Sequence, residues 1–469
     1  MRFFKEYAEN VRLLDEILSP EKSFDLIKRR LVVGAHEATF YYIDGFVKDD
    51  TMLKLMQIFL GLKGLPTGSD AAARFADENV PYVEVETASD TEQAVLLILS
   101  GGVCMVGETF GESVVLIDAR TYPARGVAEP ESDRVMRGGH DGFVETLIFN
   151  TAMLRRRIRD PRLRVVYKNI GRCSKTDIAF VYIEGTADEK YVKWLSDKLD
   201  AIDTDCLPMG HESLAECLIG SKWYNPFPKI RYTERPDTAA AQLAEGSVLI
   251  LCDNSPQAML LPTSIFDFLQ ETGDYYFPPF TGTYLRVTRH MIFWLTLFLV
   301  PLWYLLVMHP QYVPDWLLFI LPEDHGSLPL IVQLFLVEFV IDGLKLASMN
   351  TPSMLTNSLS VVGGLILGDF AVDIGWLIPE VILYMAFVAI ANFTQASYEL
   401  GYAVKFMRML LLAVTALLGV WGFVLGFAFI LWLIASNATV NRRRSYLYPL
   451  IPFHGEALCR LLFRVRKKR

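Results

Sequence analysis

The chain has 469 residues, 52% hydrophobic and 21% charged, with a formal net charge of −8 and a mean hydropathy of +0.29. That average excludes a disordered chain and is too high for most soluble enzymes, yet too low for a chain made only of membrane helices. Charge is split unevenly: Leu285–Arg469 carries 14 Lys/Arg against 10 Asp/Glu, leaving 31 against 43 in residues 1–284. An acidic front half excludes nucleic acid as its partner, and a hydrophobic, basic-ended back half suits a membrane.

The first thirty residues are charged throughout, with no apolar core of a secretory signal, so the front is expected in the cytosol. Apolar residues at Val11, Leu14, Ile17 and Leu18 predict a helix within 10–31. Strands are predicted at Leu31–Val33 and Thr39–Ile43, and helices at Thr51–Leu60 and Asp90–Leu99. The runs Gly102–Val106 and Ser113–Asp118 read as a hairpin, closing an α/β subdomain over residues 1–120. A Gly-, Pro- and charge-rich connector, 121–160, leads into a predicted helix, Phe143–Ile158. Strands at Arg164–Val166, Asp177–Glu184, Ser247–Cys252 and Met259–Leu261, with a helix at Glu189–Leu199, predict a second α/β subdomain over 161–284. No sequence repeat stands out between the two. The six cysteines form no CxxC pair and read as scattered core thiols in a reducing compartment.

After Tyr284 the chemistry changes. Met291–Met308 is uncharged, follows Arg286 and Arg289, and reads as a membrane span. Further spans are predicted at Leu328–Ala347, Ser353–Phe370 and Trp376–Phe393. Phe406–Ala435 is too long for one ordinary span. It is either a tilted helix or a tight hairpin broken at Gly419 and Gly422, and two cytosolic ends favour the hairpin. A helical membrane region over 285–435 and a basic cytosolic tail over 436–469 complete the expected fold class: two small α/β subdomains followed by an α-helical multi-pass domain.

No nucleotide-binding, hydrolase or zinc-protease signature is present. His211-Glu212 lacks the second histidine of a zincin, and His140 stands alone, so an enzyme is a poor reading and no cofactor or metal is implied. The charges inside the predicted spans carry more information. Glu338, Asp342 and Lys345 fall on one helical face, and ionised groups in lipid must meet protein or water. They either line an ion route or, in the case of Asp342 and Lys345, form a structural pair. Ser360, Gly364 and Gly368 recur every four residues, as helix packing or pore lining both require. Glu380 and Glu399 flank the fourth span, as candidates to attract cations at a pore mouth.

Longer motifs add a family likeness. These are Glu129-Pro130-x-Ser132 through Arg137-Gly138, Gly142-Phe143-x-Glu145 and Asn150-x-x-x-Leu154-Arg155-Arg156-Arg157, then Asn225-Pro226-Phe227-Pro228, Tyr232 to Asp237, Glu245-Gly246 and Asp253 to Pro256. Their order resembles the GerA family of spore germination proteins over about Thr121 to Phe453. The resemblance implies a multi-pass protein of the spore's inner membrane that forms homo-oligomers. It also implies partnership with a small membrane protein or other germination proteins, and passage of monovalent cations. Its back end is closer to a signal-amplifying branch than to nutrient receptor A subunits. A receptor A subunit and a non-conducting scaffold stay open as alternatives. Glu129, Pro130, Arg137, Gly138, Glu145 and Arg156 are the candidate coupling residues of the connector.

Overall fold

The structure is a computed structural model. It describes residues 2–463 except 48, 69, 83, 120–134, 136–137, 220–223, 324–325, 351–370, 396, 438 and 441–444. The chain divides into two compact units, one formed by Met1–Ser221 with Ile230–Pro262, the other by Lys222–Lys229 with Thr263–Arg469.

The first unit is α/β. Its front half contains α1 (Tyr7–Leu18), β1 (Leu26–Val33), β2 (His36–Ile43), α2 (Asp49–Gly61), α3 (Ala71–Asn79), β3 (Val85–Ala88), α4 (Thr91–Leu99), β4 (Val103–Gly107) and β5 (Val114–Ile117). The five strands form one antiparallel sheet in the order β1-β2-β4-β5-β3. Strand alternation sorts the core into two layers. Tyr41, Ile43, Cys104, Val106, Val114 and Leu116 face the layer holding Leu14, Leu18, Ala94 and Ile98 of α1 and α4. Their neighbours Ala38, Phe40, Val103, Met105, Val115 and Ile117 face Leu55, Phe59, Ala72 and Phe75 of α2 and α3. Helices cover both faces, which is why β4 and β5 read as continuous apolar runs.

The back half repeats this plan with α5 (Leu147–Arg157), β6 (Leu163–Ile170), β7 (Thr176–Ile183), α6 (Glu189–Asp200), α7 (His211–Leu218), β8 (Arg231–Thr233), α8 (Pro236–Ala244), β9 (Val248–Cys252) and β10 (Ala258–Leu261). Its sheet order, β6-β7-β9-β10-β8, is that of the front half shifted by five strands. The likeness extends to single residues. In α1 the buried Asn10 amide closes on the backbone N–H and C=O of Phe4; in α5 the buried Asn150 amide closes on those of Val144. Each fixes the chain six residues ahead of it. Gly101 after α4 and Gly246 after α8 both take positive φ (100° and 94°), the left-handed turn that ends each helix before the next strand. An internal duplication is therefore present that the sequence does not display.

Two local expectations change. The first helix stops at Leu18, because Ser19 turns left-handed (φ 49°) ahead of Pro20, and the chain is already extended at Leu26. Four of the six cysteines, Cys173, Cys206, Cys217 and Cys459, are exposed; only Cys104 and Cys252 are core thiols.

The second unit is helical. Its principal helices are Pro279–Met308, Leu330–Asn350, Pro379–Asn392 and the segment Tyr398–Ser436. Pro279–Met308 and Tyr398–Ser436 have the length and apolar composition to cross a membrane. The last is bent back on itself. Gly419 takes φ 59° and ψ −135°, outside the helical region, and separates arms 398–418 and 420–436. A Cβ on Gly422 would lie 2.1 Å from the carbonyl oxygen of Val414, and one on Gly426 would lie 2.7 Å from Leu411 Cδ1. In one continuous helix Leu411 and Gly426 would stand about 22 Å apart. The expected glycine-broken hairpin is what forms, with arms of about 30 and 24 Å. The predicted span 353–370, with Ser360, Gly364 and Gly368, lies outside the described residues.

Candidate functional site

Three constellations gather the residues singled out by sequence. The first lies in the α/β unit, where the separate motifs converge. Phe143 N donates to Glu234 O at 2.7 Å, Asn254 N to the carbonyl of Glu145 at 2.8 Å, and Leu147 N to Asp253 Oδ1 at 3.1 Å. The Arg235 guanidinium, fully buried, donates to Gly139 O at 3.0 Å and to both carboxylate oxygens of Asp237 at 2.6 and 3.0 Å. Arg157 closes the same loop through both oxygens of Asp141 at 2.6 Å.

This junction also joins the two halves. Arg155 of α5 reaches Asp25, just before β1, in a bidentate pair at 3.0–3.2 Å; both side chains are 1% exposed. Its remaining donor meets Leu163 O at 3.0 Å. Burial raises the Asp25 carboxyl above its ordinary range, against the pull of Arg155. Of the expected coupling residues, Glu129, Pro130 and Arg137 lie outside the described residues. Gly138 has φ 131°, Glu145 contributes its backbone and Arg156 is exposed. The inward members of the run are its neighbours Arg155 and Arg157. Thr151 and Arg155 share a buried face at a spacing of four, a signal masked by three consecutive arginines.

Near it, His211 at the start of α7 sets Nδ1 2.5 Å from Ser255 Oγ and packs edge-on against Tyr232, whose hydroxyl donates to Glu212 at 3.0 Å. Burial lowers the His211 pKa, so the ring is neutral at pH 7. His211-Glu212 thus fastens the α7 N-terminus to the β9–β10 turn.

The second constellation lies in the helical unit. Glu338, 6% exposed, is met by two cations from the 398–418 arm: Arg408 Nη2 at 2.6 Å and Lys405 Nζ at 3.3 Å. Lys405 also pairs with Asp342, one turn further along the Leu330–Asn350 helix. A second Arg408 nitrogen donates to Thr296 O of Pro279–Met308 at 3.4 Å. Lys345 stands 4.8 Å over the Phe393 ring, so the Asp342–Lys345 pair is replaced by Asp342–Lys405. A cavity of about 10 Å³, room for about one water, is lined by Glu338, Lys345, Lys405, Arg408 and Asn392. Asn392 Oδ1 is buried there with no hydrogen-bond partner among the described residues. Glu380 is not gathered in; it occupies the first turn of Pro379–Asn392, about 18 Å along the axis from Asn392. Sequence reading missed Lys405 and the pairing role of Arg408. Their spacing of three, facing acids spaced four apart, was the available signal.

A third set of motif residues ties down the helical unit. Asn225 Nδ2 donates to Leu433 O at 3.2 Å, Asn437 Nδ2 to Phe227 O at 3.3 Å, and the buried Tyr446 hydroxyl to Pro228 O at 2.7 Å. The Asn-Pro-Phe-Pro motif is thus an anchor for the end of the hairpin.

Known proteins resemble the chain along most of its length. The family described as Bacillus/Clostridium GerA spore germination protein matches residues 13–469. The chain belongs to the GerA family. The match begins far ahead of Thr121, so the front half is part of the family pattern. The GerA chain is 36% identical over 468 residues to stage V sporulation protein AF of Bacillus subtilis (strain 168), covering 100% of this chain and 94% of the relative. It is 28% identical over 441 residues to spore germination protein A1 of the same organism, covering 90% and 86%. Among solved structures it matches the N-terminal domain of the A subunit of the Bacillus megaterium spore germinant receptor GerK3. That match has a TM-score of 0.42 and 26% identity, over 55% of this chain and 96% of that one.

Proposed function

We propose that this chain is a multi-pass subunit of a germination complex in the spore's inner membrane, an oligomeric cation channel that releases monovalent ions and amplifies the germination signal. The observation that carries the proposal is the Glu338–Asp342–Lys405–Arg408 cluster, in which Glu338, Lys405 and Arg408 are buried and Asp342 is half-buried. Two carboxylates and two cations sit among otherwise apolar helices, where each unpaired charge would cost several kcal/mol. In the closed state the cations of the 398–418 arm neutralise both acids. A shift of that arm that withdraws Arg408 and Lys405 together leaves Glu338 as an uncompensated carboxylate beside a water-sized cavity, which attracts a small cation. Large apolar side chains pointing outward, such as Leu417 at 83% and Trp421 at 74% exposure, support a lipid-facing surface.

In this reading the stripe Ser360, Gly364 and Gly368 supplies close contact between helices or copies of the chain, Glu380 stands at a pore mouth, and the α/β unit lies in the cytosol. The partners are further copies of the chain, a small membrane protein and other germination proteins. Identity of 36% over the whole chain to stage V sporulation protein AF, against 28% to spore germination protein A1, favours the amplifier over a receptor A subunit. The test is conductance of the purified full chain in planar bilayers with K⁺ and Na⁺ gradients. Cation-selective currents that fall when Glu338→Gln and Glu380→Gln are combined support it. Silent bilayers containing confirmed oligomers leave the scaffold reading instead.

A further inference from the structure

The turn between β6 and β7 and the loop between α6 and α7 are bonded along their backbones. Arg172 N donates to Thr204 O at 3.0 Å, Cys173 N to Asp205 O at 2.8 Å and Ser174 N to Asp205 O at 3.3 Å. Leu207 N donates back to Ser174 Oγ at 3.2 Å. The Arg172 side chain bridges Asp203 at 3.1 Å and Asp205 at 3.2 Å, holding the two strips in register.

That register brings the backbones of two cysteines together. Cys206 follows Asp205 directly, and Cys173 is the residue bonded to Asp205. The Cα of Cys173 lies no more than about 4.3 Å from the Asp205 oxygen, and that oxygen lies about 2.8 Å from the Cα of Cys206 across a trans peptide. The two Cα atoms are therefore at most about 7 Å apart, against the 4.4–6.8 Å that a disulfide spans. Both cysteines are free and exposed to an oxidant. The core thiols offer no competition: burial pushes Cys252 up to about 12 and Cys104 higher still, so neither supplies thiolate at neutral pH.

We propose that Cys173 and Cys206 are a reversible modification site, forming an intramolecular disulfide that staples the β6–β7 turn to the α6–α7 loop. The oxidant class is a hydroperoxide. One thiolate attacks the peroxide oxygen, becoming a sulfenic acid as water leaves. The second thiolate then attacks the sulfenic sulfur, forming the S–S bond as the second oxygen leaves as water. Two thiols lose two hydrogens and one hydrogen peroxide is reduced to two waters. A small dithiol reverses the step. Because the α6–α7 loop leads directly to His211, the staple restrains the segment that fastens α7 to Ser255.

The test uses the full chain in detergent. It is exposed to a slight excess of hydrogen peroxide, its free thiols are alkylated, and it is digested without reductant for mass spectrometry. The expected product is a peptide pair linked between Cys173 and Cys206, lost after dithiol treatment. Alkylation of the two falls together while Cys217 and Cys459 stay fully alkylated. Cys173→Ser must abolish the link and leave Cys206 alkylated or as a sulfenic acid. Cys217→Ser must leave the link intact. Full alkylation of both thiols after oxidation, a link to Cys217, or links only between chains would each overturn the proposal.

Discussion

Replacing Arg408 by Met probes the buried cluster most directly. The substitution keeps an unbranched apolar stem and removes the guanidinium with its charge. Glu338 and Arg408 are 7% and 5% exposed in their side chains, at 2.6 Å. Breaking such a pair from one side costs about 3–5 kcal/mol, because the remaining ion stays buried. Here Lys405 remains 3.3 Å from Glu338 and also serves Asp342, so the lower end, about 3 kcal/mol, is expected. For a unit of this size that is a fall of roughly 6–12 °C in Tm. Adding Glu338→Gln removes the stranded charge and leaves Lys405 to Asp342, so the double variant should recover to within about 1 kcal/mol of the parent. The assay is thermal unfolding of the full chain and its variants in one mild detergent, read by tryptophan fluorescence. Under the proposed channel function, Arg408→Met should also raise the open fraction in bilayers, since it unlatches Glu338. Strictly additive single and double variants, or a Tm unchanged by Arg408→Met, would refute the idea that these two side chains neutralise one another.

Other expectations follow from the same geometry. Asn10→Ala and Asn150→Ala each orphan one part-buried N–H and one part-buried C=O, and Asn10→Ala also the Gly111 carbonyl, so each should cost about 1–3 kcal/mol, Asn10→Ala the more, as measured by chemical denaturation. Arg155→Ala strands the Asp25 carboxylate, and limited proteolysis should find the two halves of the α/β unit separating more readily; Arg156→Ala should leave the pattern unchanged. The lowered pKa of His211 means that the unfolded chain takes up its proton first as pH falls. Stability should therefore drop below the ordinary imidazole range, near 6.5, and go on falling until the folded-state pKa is passed; His211→Gln should remove that slope from a stability-versus-pH series. Gly419→Ala, at φ 59° and ψ −135°, should cost about 1–3 kcal/mol and be visible as a lower Tm in detergent.

Much of this protein is set by local chemistry and is therefore visible in the chain. Short uninterrupted apolar runs mark β4, β5, β9 and β10, because a strand buried on both faces has no polar side to present. The run 406–435 exceeds one bilayer thickness and contains Gly419, so its length and its breaker together specify a hairpin. Three carboxyl or ammonium groups on one face of the otherwise apolar Leu330–Asn350 helix announce an ionic site, since ionised groups among apolar helices need protein or water partners.

What the tertiary structure decided is the pairing. Nothing local to Glu338 says that its partners lie about seventy residues away on Arg408 and Lys405, nor that Asp342 prefers Lys405 to the nearby Lys345. Which of three consecutive arginines turns inward depends on where Asp25 is carried by the β1 side of the fold. The duplication is hidden for a related reason. A sheet order and a buried amide closing on the backbone tolerate almost any hydrophobic residue around them, so the two halves keep one architecture, and Asn10 and Asn150 one role, while the side chains between have diverged.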